Sequence, residues 1–304
     1  MELAGILFQQ TIIMFLYMAV GVFLFKKKIV TKSGSGEIAK MLVSVIMPLV
    51  IVKAYMVEFT REKFIGLVIS FGAAVAALFL SILVSRLCFK KHPVEHFGCS
   101  FSNAGFMGIP LIQAVFGGEA VFYISAFVAL LNVLQWTYGV YALTEDKKVI
   151  SPKAIFTNPV MVGFYIGLIL FFLPIQLPAI LVTAISGVAG LNGPVAMIVL
   201  GVYLAQLPIK EMVKGKQVYI GAAVRLILIP LLTMLLLSLL PNQYLTIKMA
   251  IMIVAAAPIG SNVAIFAQLY DKNYTQAVKD VCFSTICCIV TIPLVVGLAN
   301  ILWS

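Results

Sequence analysis

Residues 99–111 read Cys99-Ser100-Phe101-Ser102-Asn103-Ala104-Gly105-Phe106-Met107-Gly108-Ile109-Pro110-Leu111, inside an apolar run from about residue 95 to 117. Two glycines, an asparagine and a proline in one stretch weaken a helix, at about 1 kcal/mol for glycine and about 3 kcal/mol for proline. An interruption is expected there. A second run, about 244–270, carries Ala257-Pro258-Ile259-Gly260-Ser261-Asn262-Val263-Ala264 and is expected to break in the same way.

These breaks matter because of the solvent around them. Hydrophobic residues make up 62% of 304 positions, charged residues 11%, and the mean hydropathy is +1.12. A soluble domain is roughly half apolar, and a helix needs about 20 apolar residues to cross a bilayer. The apolar runs fall at about 5–25, 36–56, 64–88, 95–117, 119–143, 156–174, 177–206, 217–240, 244–270 and 275–302. The expected fold is therefore an all-α polytopic membrane protein of ten transmembrane helices. It divides into a first repeat over 1–144, a cytoplasmic linker over 145–155 and a second repeat over 156–304.

Basic residues near span ends stay cytoplasmic. Of the 21 lysines and arginines, 16 flank odd-numbered gaps and three, Arg61, Lys63 and Lys248, flank even ones. The expected location is thus the cell membrane, with both termini extracytoplasmic. Five spans per half is an odd number, so the second half enters the membrane in the opposite sense and the repeats are inverted. Prolines agree with that relation: Pro48 and Pro194 lie in the second span of each half, Pro110 and Pro258 in the fourth.

Peptide groups freed by a break cannot face lipid; they are buried in protein or line a polar cavity. Paired breaks at matched positions of inverted repeats meet near the midplane and form binding sites. The half-helix after each break offers free N–H groups and a positive dipole end, which suits an anion. The substrate-site residues expected on these grounds are Asn103, Gly105, Gly108, Pro110, Pro258, Gly260, Ser261 and Asn262. The same small residues also serve as helix-packing positions in many spans.

Asn103-Ala-Gly105-Phe-Met-Gly108-Ile-Pro110-Leu, followed by Phe116-Gly117, resembles the fourth-helix signature of the auxin efflux carrier family. That family includes plant auxin carriers and bacterial permeases of malate and malonate type. Pro48 and Pro258-Ile-Gly260 fit the same pattern, and the resemblance covers the whole chain. It implies that helices 4 and 9 cross in a transport group (helices 3–5 and 8–10) beside a scaffold (helices 1, 2, 6 and 7). It also implies elevator-like alternating access and a homodimer. The family's substrate-contacting asparagine falls on Asn103, and a polar fifth-helix position falls on Asn132. Asn158-Pro159 resembles an Asn-Pro that opens the sixth helix. Ser102 stands where plant carriers have proline, and Val160 where they have a second asparagine. Both departures favour a small carboxylate over an indole acid.

The expected function is secondary transport of a small organic anion. A sodium-coupled symporter of bile-acid-carrier type and a ligand sensor that does not transport are the alternatives. No catalytic, cofactor, metal or nucleic-acid motif is found. Pro93 breaks the helical spacing of His92 and His96, which are placed in an interfacial loop, and the cysteines Cys88, Cys99, Cys282, Cys287 and Cys288 form no ligand or disulfide pattern. Arg225, inside the eighth run, is expected to snorkel to the interface or to balance an anion. All eleven acids are placed in gaps or at helix ends, which leaves no mid-membrane proton carrier.

Overall fold

The computed structural model describes residues 2–173 and 175–304. Among them regular structure is helical throughout. The principal helices are α1 (Glu2–Lys26), α2 (Lys32–Ala54), α3 (Arg61–Cys88), α4 (Pro93–Ser100), α5 (Ala104–Phe116) and α6 (Ala120–Thr144). They continue as α7 (Pro159–Phe172), α8 (Ala179–Ala205), α9 (Lys216–Leu237), α10 (Leu245–Ala256), α11 (Asn262–Leu269) and α12 (Tyr274–Trp303). Seven of these, α1, α2, α3, α6, α8, α9 and α12, are long and apolar enough to cross a membrane, while α5 and α7 are shorter apolar helices. The fourth and ninth runs are each split, into α4 with α5 and α10 with α11.

Local chemistry sets the boundaries. Thr31, Thr60, Asn158 and Asn273 accept backbone N–H groups from Gly34, Lys63, Val160 and Gln276 and so cap α2, α3, α7 and α12. Each of these side chains satisfies one of the donors that a helix start leaves free. Pro48, Pro110 and Pro230 each follow a π-helical turn, at Leu42–Ile46, Ala104–Gly108 and Val224–Leu228. A proline donates no N–H and crowds the turn before it, and the wider turn relieves both effects.

Close approach of helices rests on glycine. A Cβ built on Gly21 of α1 would lie 2.0 Å from the Ile198 carbonyl oxygen of α8, and one on Gly201 of α8 would lie 2.0 Å from that of Met18. A Cβ on Gly163 of α7 would meet the Pro48 backbone of α2 at 2.7 Å, and one on Gly167 would meet the Tyr55 ring at 2.6 Å. Thus α1 packs on α8 and α7 on α2 by small-residue contacts, as helices in lipid do when no hydrophobic force separates protein from solvent. Gly201→Ala is expected to cost at least about 2 kcal/mol through overpacking against backbone. Gly5→Ala, with nothing within 4 Å of the added carbon, is the control; thermal unfolding of detergent-purified protein measures both.

Candidate functional site

The two breaks touch. Residues 101–103 between α4 and α5, and 257–260 between α10 and α11, are not helical; Phe101 and Ala257 are extended, and Ser102 pairs with Ile259 in an isolated antiparallel bridge. Asn103 N–H donates to the Pro258 carbonyl at 2.8 Å, and Gly260 N–H donates to the Phe101 carbonyl at 3.1 Å. A third freed donor, Ile259 N–H, reaches Ser284 Oγ of α12 at 3.2 Å. Each broken helix thereby supplies the partners that the other has lost.

The half-helices that end at the crossing point their free carbonyls toward one side chain. Arg225 of α9 is 1% exposed. Its Nε donates to the Ala257 carbonyl at 3.1 Å, Nη2 to that of Ala255, and Nη1 to Ser81 Oγ at 3.0 Å and the Cys99 carbonyl at 3.1 Å. One planar guanidinium therefore caps the C-terminal ends of both α4 and α10, where the helix dipoles favour positive charge. This corrects the expectation that Arg225 snorkels: backbone carbonyls near the crossing accept its hydrogen bonds in place of water, so it has no need of the interface. Lys248 is likewise buried, in the first turn of α10, with Nζ 2.9 Å from Asn242 Oδ1 and 4.6 Å from the Trp303 ring centroid.

In front of the crossing lies a cavity of about 40 Å³ lined by Asn103, Gly105, Asn132, Gly260, Ser261 and Asn262, with Ser102 and Phe106. Val43 and Met47 of α2 and Val160 of α7 close its other wall. This volume admits a few waters. Of the nine expected site residues, these six face the cavity together. Gly108 instead lets α5 approach Val254 of α10, where an added Cβ would lie 2.8 Å from its side chain, and Pro110 packs against Gly193. Pro258 takes part through its carbonyl.

The polar groups differ in what remains free. Asn132 Nδ2 donates to Val128 O of its own helix at 3.0 Å, and Asn262 Nδ2 donates to Gln135 Oε1 at 2.9 Å. Asn192 of α8 donates to the Gly105 carbonyl at 2.9 Å. Asn103 Nδ2 and Ser102 Oγ are buried with no partner. Buried donors without partners are rare in native proteins, and here one belongs to a residue that lines a cavity beside the N-terminus of α5. Larger hollows, of about 860 Å³ near Phe59 and Phe171 and about 790 Å³ near Arg61 and Tyr244, contain no residue of either break.

One further expectation changes. His96 lies within α4 rather than in a loop, 8% exposed, with Nε2 3.2 Å from Tyr138 Oη. Among the described residues no group of three His, Cys, Asp or Glu side chains gathers to hold a metal. Two of the acids near helix ends are buried, Asp280 of α12 at 2% and Glu95 of α4 at 5% exposed.

Long apolar helices and two interrupted helices joined through their breaks define a polytopic membrane protein with a central crossing. A family model described as Membrane transport protein matches residues 6–154 and 148–296. The chain belongs to this family, the auxin efflux carrier family, which is one of transporters and not of enzymes. No curated protein matched it.

Arg225→Met is expected to leave the Ala255 and Ala257 carbonyls and Ser81 Oγ without the guanidinium donor and to cost about 3–5 kcal/mol. Arg225→Lys, whose compact ammonium cannot span the same acceptors, should recover part of the loss. Melting of the purified variants measures the order: wild type, lysine, methionine.

Proposed function

We propose that the chain is a secondary transporter of a small organic anion, a carboxylate of malate or malonate size, built from ten spans in two inverted five-helix repeats. The observation that carries this reading is the unpartnered Asn103 amide at the crossing. It is a donor held at the positive end of α5, on a residue of a cavity whose lining contains no acid. A carboxylate oxygen there completes the hydrogen bonding without a buried lysine, and hydrogen bonds to a charged group are worth about 1.5–3 kcal/mol each.

Helix packing supports the repeat. Spans one and seven meet through Gly21 and Gly201, and spans six and two meet through Gly163 and Pro48, the exchange expected if each half repeats the other. Alternating access of elevator type is supported by the composition of the cavity wall, with α2 and α7 on one side and both breaks on the other. Sliding of the crossing past that wall would expose Asn103 to either face in turn.

Two hollows lie in suitable places. One of about 290 Å³ includes Lys53 and Gln113, near the far end of α5, and one of about 380 Å³ includes Lys32 and Gln268, near the far end of α11. Each has a lysine in its lining, the first together with Glu119 and the second without an acid. The basic residues at odd-numbered gaps support a cell-membrane orientation with both termini outside.

Asn103→Ala is expected to weaken carboxylate binding about 10–100-fold while elution profile and melting temperature stay unchanged. Labelled malonate and malate uptake into proteoliposomes measures the effect. Uptake equal to wild type contradicts the site, and binding without any flux in wild type favours a sensor.

A further inference from the structure

Asp280 is the seventh residue of α12, and its burial is unusual for an acid. Gln276, one turn earlier, donates Nε2–H to Oδ1 at 2.9 Å. Oδ2 is buried and has no hydrogen-bond partner. No cation pairs with it, since the salt bridge found among the described residues joins Lys214 to Glu211. The charged side chains that act on it are Glu95 of α4 and Lys279 of its own helix. Glu95 is buried and Lys279 half-buried.

Oδ2 has no donor among the described residues, so the acid keeps an unmet hydrogen-bonding capacity inside the protein. A bare acid oxygen of this kind is a place for a proton or a small cation. The position is also close to the working centre. Ser284, one turn further along the same helix and about 6 Å along its axis, accepts the Ile259 N–H of the crossing. Cys99 of the facing half-helix has its carbonyl capped by Arg225. Gain or loss of a proton at Asp280 therefore changes the charge between α4 and α12, directly behind the crossed breaks.

We propose that Asp280 is the proton-binding site of this carrier, loading and releasing one proton per transport cycle so that carboxylate flux is coupled to a pH difference. A proton suits the site better than a metal cation. Such cations take several oxygen ligands, whereas Gln276 presents its N–H to Asp280.

The proposal rests on the transport reading above, and two measurements separate its failure from the failure of that reading. In the first, proteoliposomes holding wild type or Asp280→Asn are given labelled malonate, at equal pH and then with the outside one pH unit more acidic. One coupled proton corresponds to about tenfold accumulation per pH unit. Wild type is expected to approach that value, and Asp280→Asn to exchange malonate at equal pH without accumulating it. Accumulation by Asp280→Asn to the wild-type level overturns the proposal, as does exchange by wild type that ignores the gradient.

The second measurement uses no substrate and decides the matter if wild type carries no malonate. Melting temperature is followed from pH 5 to 9 in detergent. A proton held by the folded chain and given up by the unfolded one stabilises less as pH rises, so wild type is expected to lose stability relative to Asp280→Asn. Parallel curves overturn the proposal. So does failure of Asp280→Asn to fold, because asparagine is the isostere of the neutral acid.

Discussion

Every peptide group released when a helix breaks inside a membrane needs a partner from the protein itself, since the surrounding lipid supplies none. This chain meets that demand by crossing its two breaks. The Ser102–Ile259 bridge pairs backbone with backbone, Ser284 takes one further N–H, and Asn192 answers the Gly105 carbonyl. Arg225 gathers the carbonyls of Cys99, Ala255 and Ala257. Neither broken helix satisfies itself, and the rest of the fold serves to bring them together.

The arrangement separates two electrostatic tasks. Behind the crossing, the positive guanidinium meets the negative ends of α4 and α10, so the charge is held by dipoles rather than by a carboxylate. In front of it, the N-terminal ends of α5 and α11 and the Asn103 amide face a cavity without ionisable lining. Under the anion-carrier reading proposed above, an anion there would be attracted by oriented backbone and not locked to a fixed cation. That suits a carrier, which must release what it binds. Preorganised polar groups of this kind act strongly where water is excluded.

Much of this was legible in the chain itself. Membrane insertion follows from hydropathy, and the breaks follow from Gly105, Gly108 and Pro110 in one run and Pro258 and Gly260 in the other. Asn103 is visible because an asparagine between two such glycines and a serine has no packing reason to be there. Arg225 was misjudged for a physical reason. Its acceptors are mainly backbone carbonyls, lie 30 to 144 residues away in sequence, and carry no residue-type signature. The burial of Asp280 was not legible, because its place near the start of an apolar run says nothing about the helices packed around it. Gly108 and Pro110 look like site residues by sequence yet serve the contacts of α5 with α10 and α8.

The central claim is that the two breaks lie against each other, and a cross-link between Ser102 and Ile259 tests it most directly. Residues opposite one another at such a bridge have Cα atoms about 4.5 Å apart, within the range a disulfide spans. In a background with the five native cysteines replaced by alanine, Ser102→Cys with Ile259→Cys is oxidised in membranes and the peptides are read by mass spectrometry. The account predicts an efficient link between the peptides containing 102 and 259, and none when Gly5→Cys replaces Ser102→Cys. Absence of the 102–259 link, with both thiols accessible to reagent after unfolding, would contradict it.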